Sequence, residues 1–177
     1  MIKKFKLDTP CTIGIFKEHK QIKNNLISLI KKTNSDTLKT SNDYFNDLIH
    51  RLDWDKSKDA KRKWVKYLIP YLQKYFNEIA NKLGYQEVDI KNLWFQQYNL
   101  HGKHGWHTHG STNFANVYFL ECPRGSSTKF RNFTEDCEEG DILSFPAFLP
   151  HMSPPIENDE IKTVIAFNSD FEILEQQ

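Results

Sequence analysis

WFQQYNLHGKHGWHTH, Trp94 to His109, is the stretch whose reading decides the fold. Trp94 to Asn99 alternates as a strand does, the glycines Gly102 and Gly105 turn the chain, and His107 and His109 follow with one residue between them. On an extended backbone both imidazoles leave the same face with alpha carbons about 6.6 to 6.8 Å apart. That spacing suits two adjacent ligands on one metal ion.

Two later stretches belong with it: FPAFLPH, ending at His151, and IKTVIAFN, Ile161 to Asn168. His151 lies in an apolar, helix-poor segment far enough along the chain to return on another strand. Two histidines from one strand and one from another occupy one triangular face of an octahedral ion and leave three positions open. Open positions are what a catalytic metal needs, and a facial set of three ligands is how non-heme Fe(II) oxygenases hold theirs.

In the last stretch Lys162, Val164, Ala166 and Asn168 share one face, while Thr163, Ile165 and Phe167 share the other. A lysine on an apolar inward face is costly to bury without an anionic partner. A lysine at a strand end that snorkels to water is the alternative. Tyr98 shares its face with Trp94 and Gln96, where its hydroxyl either meets a ligand or completes a half-buried strand tyrosine. Trp106 walls a pocket beside the histidine pair or belongs to the core. Asn116 and Tyr118, on ANVYFLE, are pocket candidates whose parity the register decides. His101 and His104 fall in the glycine-rich turn as solvated loop residues, with a lining of the substrate entrance as the other reading.

Working outward, the N-terminal half reads as helical and the C-terminal half as strands. Short strands are expected around Phe5–Leu7 and Ile13–Ile15. A helix is expected from Glu18 to Lys32, with Ile22, Leu26, Leu29 and Ile30 at helical spacing. TNSDTLKTSND reads as a polar loop, and Ser41 or Asn42 as the cap of a short helix reaching Asp47–His50. A longer helix is expected from about Lys58 to Leu83, kinked or broken at Pro70 and ended by Gly84. Strands follow over Val88–Asn99, Ala115–Glu121, Ser127–Phe133, Asp141–Phe145 and Lys162–Asn168. Helices first and strands afterwards predict an α+β, mostly β, architecture with helices on one side of antiparallel sheets. One domain over 1–177 is expected, with helical support at about 16–84 and the β core at about 86–174.

Twenty-four lysines and arginines against 23 acidic residues leave a net charge of +1, so the footprint of a nucleic-acid binder is missing. Cys11, Cys122 and Cys137 are an odd set without CxxC spacing and read as free thiols. No signal sequence and no bilayer-spanning run is read, so a cytoplasmic setting without membrane association is the expectation.

The combination of Tyr98, Gly102, His107-x-His109, then GDILSFP (Gly140–Pro146), His151 and Lys162 resembles the Fe(II)- and 2-oxoglutarate-dependent oxygenases, in particular their prolyl-4-hydroxylase-like branch. The resemblance covers about Trp94 to Asn168. It implies a double-stranded β-helix, or jelly roll, with iron held by His107, His109 and His151. Lys162 stands where that family binds the distal carboxylate of 2-oxoglutarate, with Tyr98 as a second cosubstrate contact. The activity implied is hydroxylation of a C–H bond coupled to O₂ and to decarboxylation of 2-oxoglutarate, with a peptide, a protein or a small molecule as substrate and a peptidyl proline favoured. Two positions depart from the pattern: His109 replaces the usual aspartate or glutamate, and Phe119 replaces a tyrosine common in prolyl hydroxylases. A neutral third ligand leaves the ion its full +2 charge, which strengthens its attraction for a dianionic cosubstrate.

Two other readings compete. One is a cupin-type three-histidine dioxygenase without cosubstrate, although Phe148 replaces the glycine of the second cupin motif. The other is a metal-free binding module on a similar scaffold.

Overall fold

The computed structural model describes residues 2, 3, 10–42, 46–133 and 135–172. The strand expected at Phe5–Leu7 lies outside them. Among the described residues ten strands and two α-helices follow in order: β1 (Thr12–Ile15), α1 (His19–Lys31), β2 (Asp36–Ser41), β3 (Asn46–Leu52), α2 (Lys63–Leu83), β4 (Glu87–Tyr98), β5 (His104–His107), β6 (Phe114–Glu121), β7 (Lys129–Phe130), β8 (Asp141–Pro146), β9 (His151–Ser153) and β10 (Lys162–Glu172). A single 3-10 turn at Trp54–Lys56 leads from β3 towards α2.

The strands form two antiparallel sheets. One has seven strands in the order β1-β8-β6-β10-β4-β3-β2, and the other three in the order β5-β9-β7. Paired backbone bonds between Leu48 and Lys103, 2.9 Å in each direction, tie β3 to the approach of β5. This is the jelly roll that the family resemblance implies.

Alternation along the central strands divides the apolar side chains between two cores. Leu93, Phe95, Tyr118, Ile165 and Phe167 face the helices and pack with Ile22, Leu26, Ile30, Trp64, Leu68, Leu72 and Phe76. Tyr98, Phe119 and Val164 face the small sheet and pack with Ile49, Leu52, Phe130, Leu143 and Phe145. The helices brace the outer face of the large sheet, and the space between the sheets is left for the site.

Three expectations about the N-terminal half are corrected. The supposed polar loop contains β2, and the supposed short helix at Asp47–His50 is β3, paired with β2 and with β4 through Arg51–Gln97 and Leu52–Gln96. Tertiary pairing overrides local propensity here. Arg51 shows how: its guanidinium donates to Gln97 Oε1 at 2.8 Å and to the carbonyls of Ile30 and Thr33 at 3.1 and 2.9 Å, satisfying the end of α1 from a strand. The third correction concerns the break expected at Pro70: α2 runs through it without interruption. Its ring stands on an exposed position opposite the buried stripe, where the bond lost to Lys66 leaves a carbonyl at another exposed residue. Gly84 ends α2 as expected, at φ 80° with its N–H reaching the carbonyls of Ala80 and Asn81.

The buried polar group that fixes α2 to the large sheet is Asp53. Its carboxylate, fully buried, accepts from Arg62 Nη1 at 2.5 Å, Trp64 Nε1 at 2.9 Å and the Phe95 N–H at 2.9 Å. Among the described residues no helix is long and apolar enough to cross a membrane.

Candidate metal centre and adjoining cavities

His107 on β5 and His151 on β9 are cross-strand partners, with ring centres 4.2 Å apart. His109 follows two residues beyond the end of β5, held by its N–H to the Ala147 carbonyl at 2.9 Å. One ligand atom from each of His107, His109 and His151 lies within 4.8 Å of the others. Imidazole–metal bonds of about 2.0 to 2.1 Å would draw them closer still.

The hydrogen bonds decide which nitrogen each ring presents. His107 Nδ1 lies 2.8 Å from Gly105 O, His151 Nδ1 lies 2.9 Å from Leu149 O, and His109 Nδ1 lies 2.5 Å from Asn168 Oδ1. A carbonyl or amide oxygen only accepts, so each Nδ1 carries the proton and each Nε2 keeps its lone pair. Burial, the largest cause in each case, lowers the pKa of all three, to about 4 for His109 and about 2 for His151. Neutral imidazoles with fixed Nδ1–H groups are the form a divalent cation binds. The donor set fits a metal of imidazole preference with positions left open.

Lys162 begins β10 and is fully buried, which overturns the solvent-snorkelling alternative. Its ammonium donates to Ser153 Oγ at 2.7 Å and to the Ser126 carbonyl, and it lies 5.4 and 5.7 Å from the ring centres of Tyr98 and Phe119. Phe119, at the position of the absent tyrosine, thus offers the ammonium a π face in place of a hydroxyl. Among the described residues no carboxylate answers the charge, and burial pushes the lysine down to about 8. Tyr98 is buried and donates to Gln96 Oε1 at 2.8 Å.

An inner cavity of about 30 Å³ joins these groups, lined by Tyr98, Thr128, Met152, Ser153 and Lys162 together with the three histidines. An outer cavity of about 430 Å³ shares Trp94, Gln96, His104, His107 and His109 with it and adds Leu38, Ile49, Leu52, Trp54, Thr108 and Asn168. Five rings run in a row from its mouth to the histidines: Trp54–Trp94 at 4.4 Å between centres, Trp94–His109 at 5.9 Å, His109–His107 at 5.3 Å and His107–His104 at 3.9 Å. Among the described residues no aspartate or glutamate lines either cavity.

Other sequence candidates stand elsewhere. Asn116 and Tyr118 point to the helix side of the large sheet: Asn116 donates to Phe167 O and Ser169 Oγ at 3.1 and 2.9 Å, and the Tyr118 hydroxyl bonds His19 Nδ1 at 2.7 Å. The β6–β10 register, with Val117 opposite Ala166 and Phe119 opposite Val164, gives the inward face to the odd residues. Trp106 is 41% exposed, neither core nor cavity wall, with the Arg131 guanidinium 5.5 Å from its ring centre. His104 is no solvated loop residue: it opens β5, stacks on His107 and lines both cavities, 3.7 Å from Asp47.

Sequence reading missed Ser126 and Ser153 at the lysine, Thr128 in the inner cavity, the wall given by Trp54 and the β2–β3 hairpin, and the bond from Asn168. Only Asn168 left a signal, its shared parity with Lys162.

No family model matches the chain, and a search of curated proteins finds no match. Solved structures do match. A prolyl hydroxylase from Trichoplax adhaerens, in complex with a hypoxia inducible factor oxygen degradation domain peptide, aligns over 91% of this chain and 83% of its own at TM-score 0.64 and 13% identity. A viral collagen prolyl hydroxylase from Paramecium Bursaria Chlorella virus-1, in a 2-oxoglutarate complex, aligns over 90% and 94% at 0.58 and 15%. The non-heme α-ketoglutarate-dependent epimerase SnoN from nogalamycin biosynthesis aligns over 93% and 77% at 0.68 and 8%. The fold is therefore the jelly roll in which 2-oxoglutarate- and iron-dependent oxygenases are built.

Proposed function

We propose that this chain is an Fe(II)- and 2-oxoglutarate-dependent oxygenase that hydroxylates a C–H bond in an uncharged, largely apolar group, with a peptidyl proline the favoured substrate. The observation that carries the reading is the clustering of three histidines, each with its Nδ1 held by an acceptor and one ligand atom within 4.8 Å of the others, with the buried Lys162 lining the same inner cavity. Iron, when bound, supplies the activation of O₂ that the side chains themselves lack.

His107, His109 and His151 would hold the ion. Lys162, bonded to the Ser153 hydroxyl and sharing its cavity with Thr128 and Tyr98, would receive the distal carboxylate of 2-oxoglutarate. Placing that anion there supplies the charge partner the ammonium lacks. The inner cavity has room for water but not for a five-carbon diacid. Its lining must part on binding, and Met152, half-buried and unbranched, is the side chain best able to turn aside.

The outer cavity supports the substrate class. Its size is that of a small-ligand pocket, and Leu38, Ile49, Leu52, Trp54 and Trp94 present apolar faces without an ion to pair a charged substrate. A prolyl ring, uncharged and alicyclic, meets that description, as do neutral small molecules. Anaerobic titration with Fe(II) and then 2-oxoglutarate tests the assignment: a visible metal-to-ligand charge-transfer band is expected, with succinate formed under air. Neither band nor succinate would end it.

The narrow inner cavity and the absence of a carboxylate ligand favour a second reading, a three-histidine dioxygenase that uses no cosubstrate. Lys162→Ala separates the two. Activity lost and partly restored by high 2-oxoglutarate supports the first, and indifference supports the second.

A further inference from the structure

We propose that Asn168 is the positioning residue that allows a histidine to serve as the third ligand, by fixing the tautomer and rotation of His109 without adding charge to the site. The proposal rests on the metal centre described above and concerns how this chain replaces the carboxylate of related sites.

A carboxylate presents an acceptor oxygen in either orientation. An imidazole presents a lone pair from one nitrogen only, and a flipped ring or the wrong tautomer offers the metal a C–H or an N–H. Each ligand histidine therefore needs something to hold its Nδ1–H. His107 and His151 find it locally in the chain, in the carbonyls of Gly105 within β5 and of Leu149 just before β9, two residues earlier in each case. His109 has left β5 and is held from across the barrel, by an amide oxygen at 2.5 Å.

That amide is placed deliberately. Asn168 is 6% exposed and shares the inward face of β10 with Lys162, Val164 and Ala166. The β10–β4 register shifts between Asn168 and Ser169, and irregularities of this kind re-aim a side chain at the end of a paired run. Trp94, inclined at 32° with its ring centre 5.9 Å away, flanks the imidazole that Asn168 orients.

The choice of amide over acid has its own consequence. Aspartate at 168 would hold the same proton more strongly and make His109 a better donor to the metal, as carboxylate–histidine–metal triads do. It would also put a negative charge beside the ion, where an anionic cosubstrate must bind. Asparagine supplies direction alone and leaves Lys162 the only charged side chain among the described residues that line the two cavities.

The test uses the full chain with Co(II) as probe, followed by Fe(II) and 2-oxoglutarate without oxygen. Asn168→Leu is expected to weaken Co(II) binding about 10- to 100-fold. Asn168→Asp, nearly isosteric, is expected to bind Co(II) at least as tightly as the parent while weakening 2-oxoglutarate about tenfold in the charge-transfer titration, by the like-charge rule. A merely structural role would move both variants in the same direction, along with the melting temperature. Co(II) affinities within twofold of the parent in both variants, or equal losses in both, would overturn the proposal. A parent chain that binds Co(II) but shows no band with 2-oxoglutarate removes the oxygenase reading and leaves the Co(II) arm decisive for Asn168. A parent chain that takes up no Co(II) overturns both.

Discussion

Lys162 and Tyr98 are cross-strand partners at the ends of β10 and β4, and the ammonium of the first stands 5.4 Å from the ring centre of the second. The pair lines the inner cavity with a cation that, among the described residues, has two hydrogen bonds, two aromatic faces and no anion. A charge in that position costs stability in the free protein and is available to a ligand.

The cost has a pH window. Burial lowers Lys162 from 10.5 to about 8, so below pH 8 the folded state carries the full penalty and above it the folded state sheds its proton before the unfolded chain does. This group makes the protein more stable as pH rises from about 8 to 10.5. The shift corresponds to about 3 kcal/mol. Lys162→Met is expected to raise stability at pH 7 by about 1 to 3 kcal/mol in urea unfolding and to flatten the pH slope in that window. A destabilised variant would contradict it.

2-Oxoglutarate affinity should follow the same group with the opposite sign. A bound carboxylate favours the charged lysine, so affinity is level below pH 8 and falls above it, approaching tenfold per unit. Charge-transfer titrations from pH 7 to 9.5 measure this, and Lys162→Ala should bind weakly with no such break.

Ligand substitutions at the histidines should not be equivalent. His151→Ala removes a buried, locked imidazole and is expected to abolish stoichiometric metal in elemental analysis. His109→Asp restores a facial set of two histidines and one carboxylate. It should keep the metal and bind 2-oxoglutarate more weakly than the parent. Complete metal loss in the second variant would show that the geometry around His109 accepts imidazole alone.

Asp53 carries the junction between α2 and the large sheet. Asp53→Ala leaves Arg62 buried without its counter-charge and frees the N–H groups of Trp64 and Phe95. A loss of about 3 to 5 kcal/mol is expected. Chemical denaturation checks it, and a change under 1 kcal/mol would mean water replaces the carboxylate.

Trp54 offers the converse case. It is 48% exposed and meets Trp94 edge-on at the cavity mouth, so Trp54→Ala should cost no more than about 1 kcal/mol. Metal and 2-oxoglutarate binding should be unchanged. What should fall is the stimulation of succinate formation by neutral apolar compounds such as N-acetylprolinamide, measured against charged counterparts such as free proline. Equal responses to both would dismiss the apolar assignment of the outer cavity.

Much of this architecture is written locally. Period-two alternation in Trp94–Tyr98 and Lys162–Asn168 placed Gln96, Tyr98 and Lys162 on an inward face, and helical spacing in α1 and α2 marked the stripes that pack on the sheet. The β2–β3 hairpin was not legible, because polar residues such as Asp36 to Ser41 become a strand only when β3 and β4 offer them a ladder. Asn116 and Tyr118 were misplaced for a related reason. A strand's two faces are distinguishable in sequence only when one is plainly polar, and β6 is buried on both.

The sequence by itself determined the kinds of groups available: three imidazoles, a lysine in an apolar strand and the alternation that turns it inward, all consequences of side-chain chemistry and backbone period. The tertiary structure decided which of those groups meet. The pairing of β5 with β9 brings His151 to His107, the register irregularity at Asn168 brings an amide to His109, and closure of the barrel buries Lys162 against Ser153. Those contacts join residues distant in the chain, and no local rule of composition or spacing encodes which distant partners a folded backbone will bring within hydrogen-bonding reach.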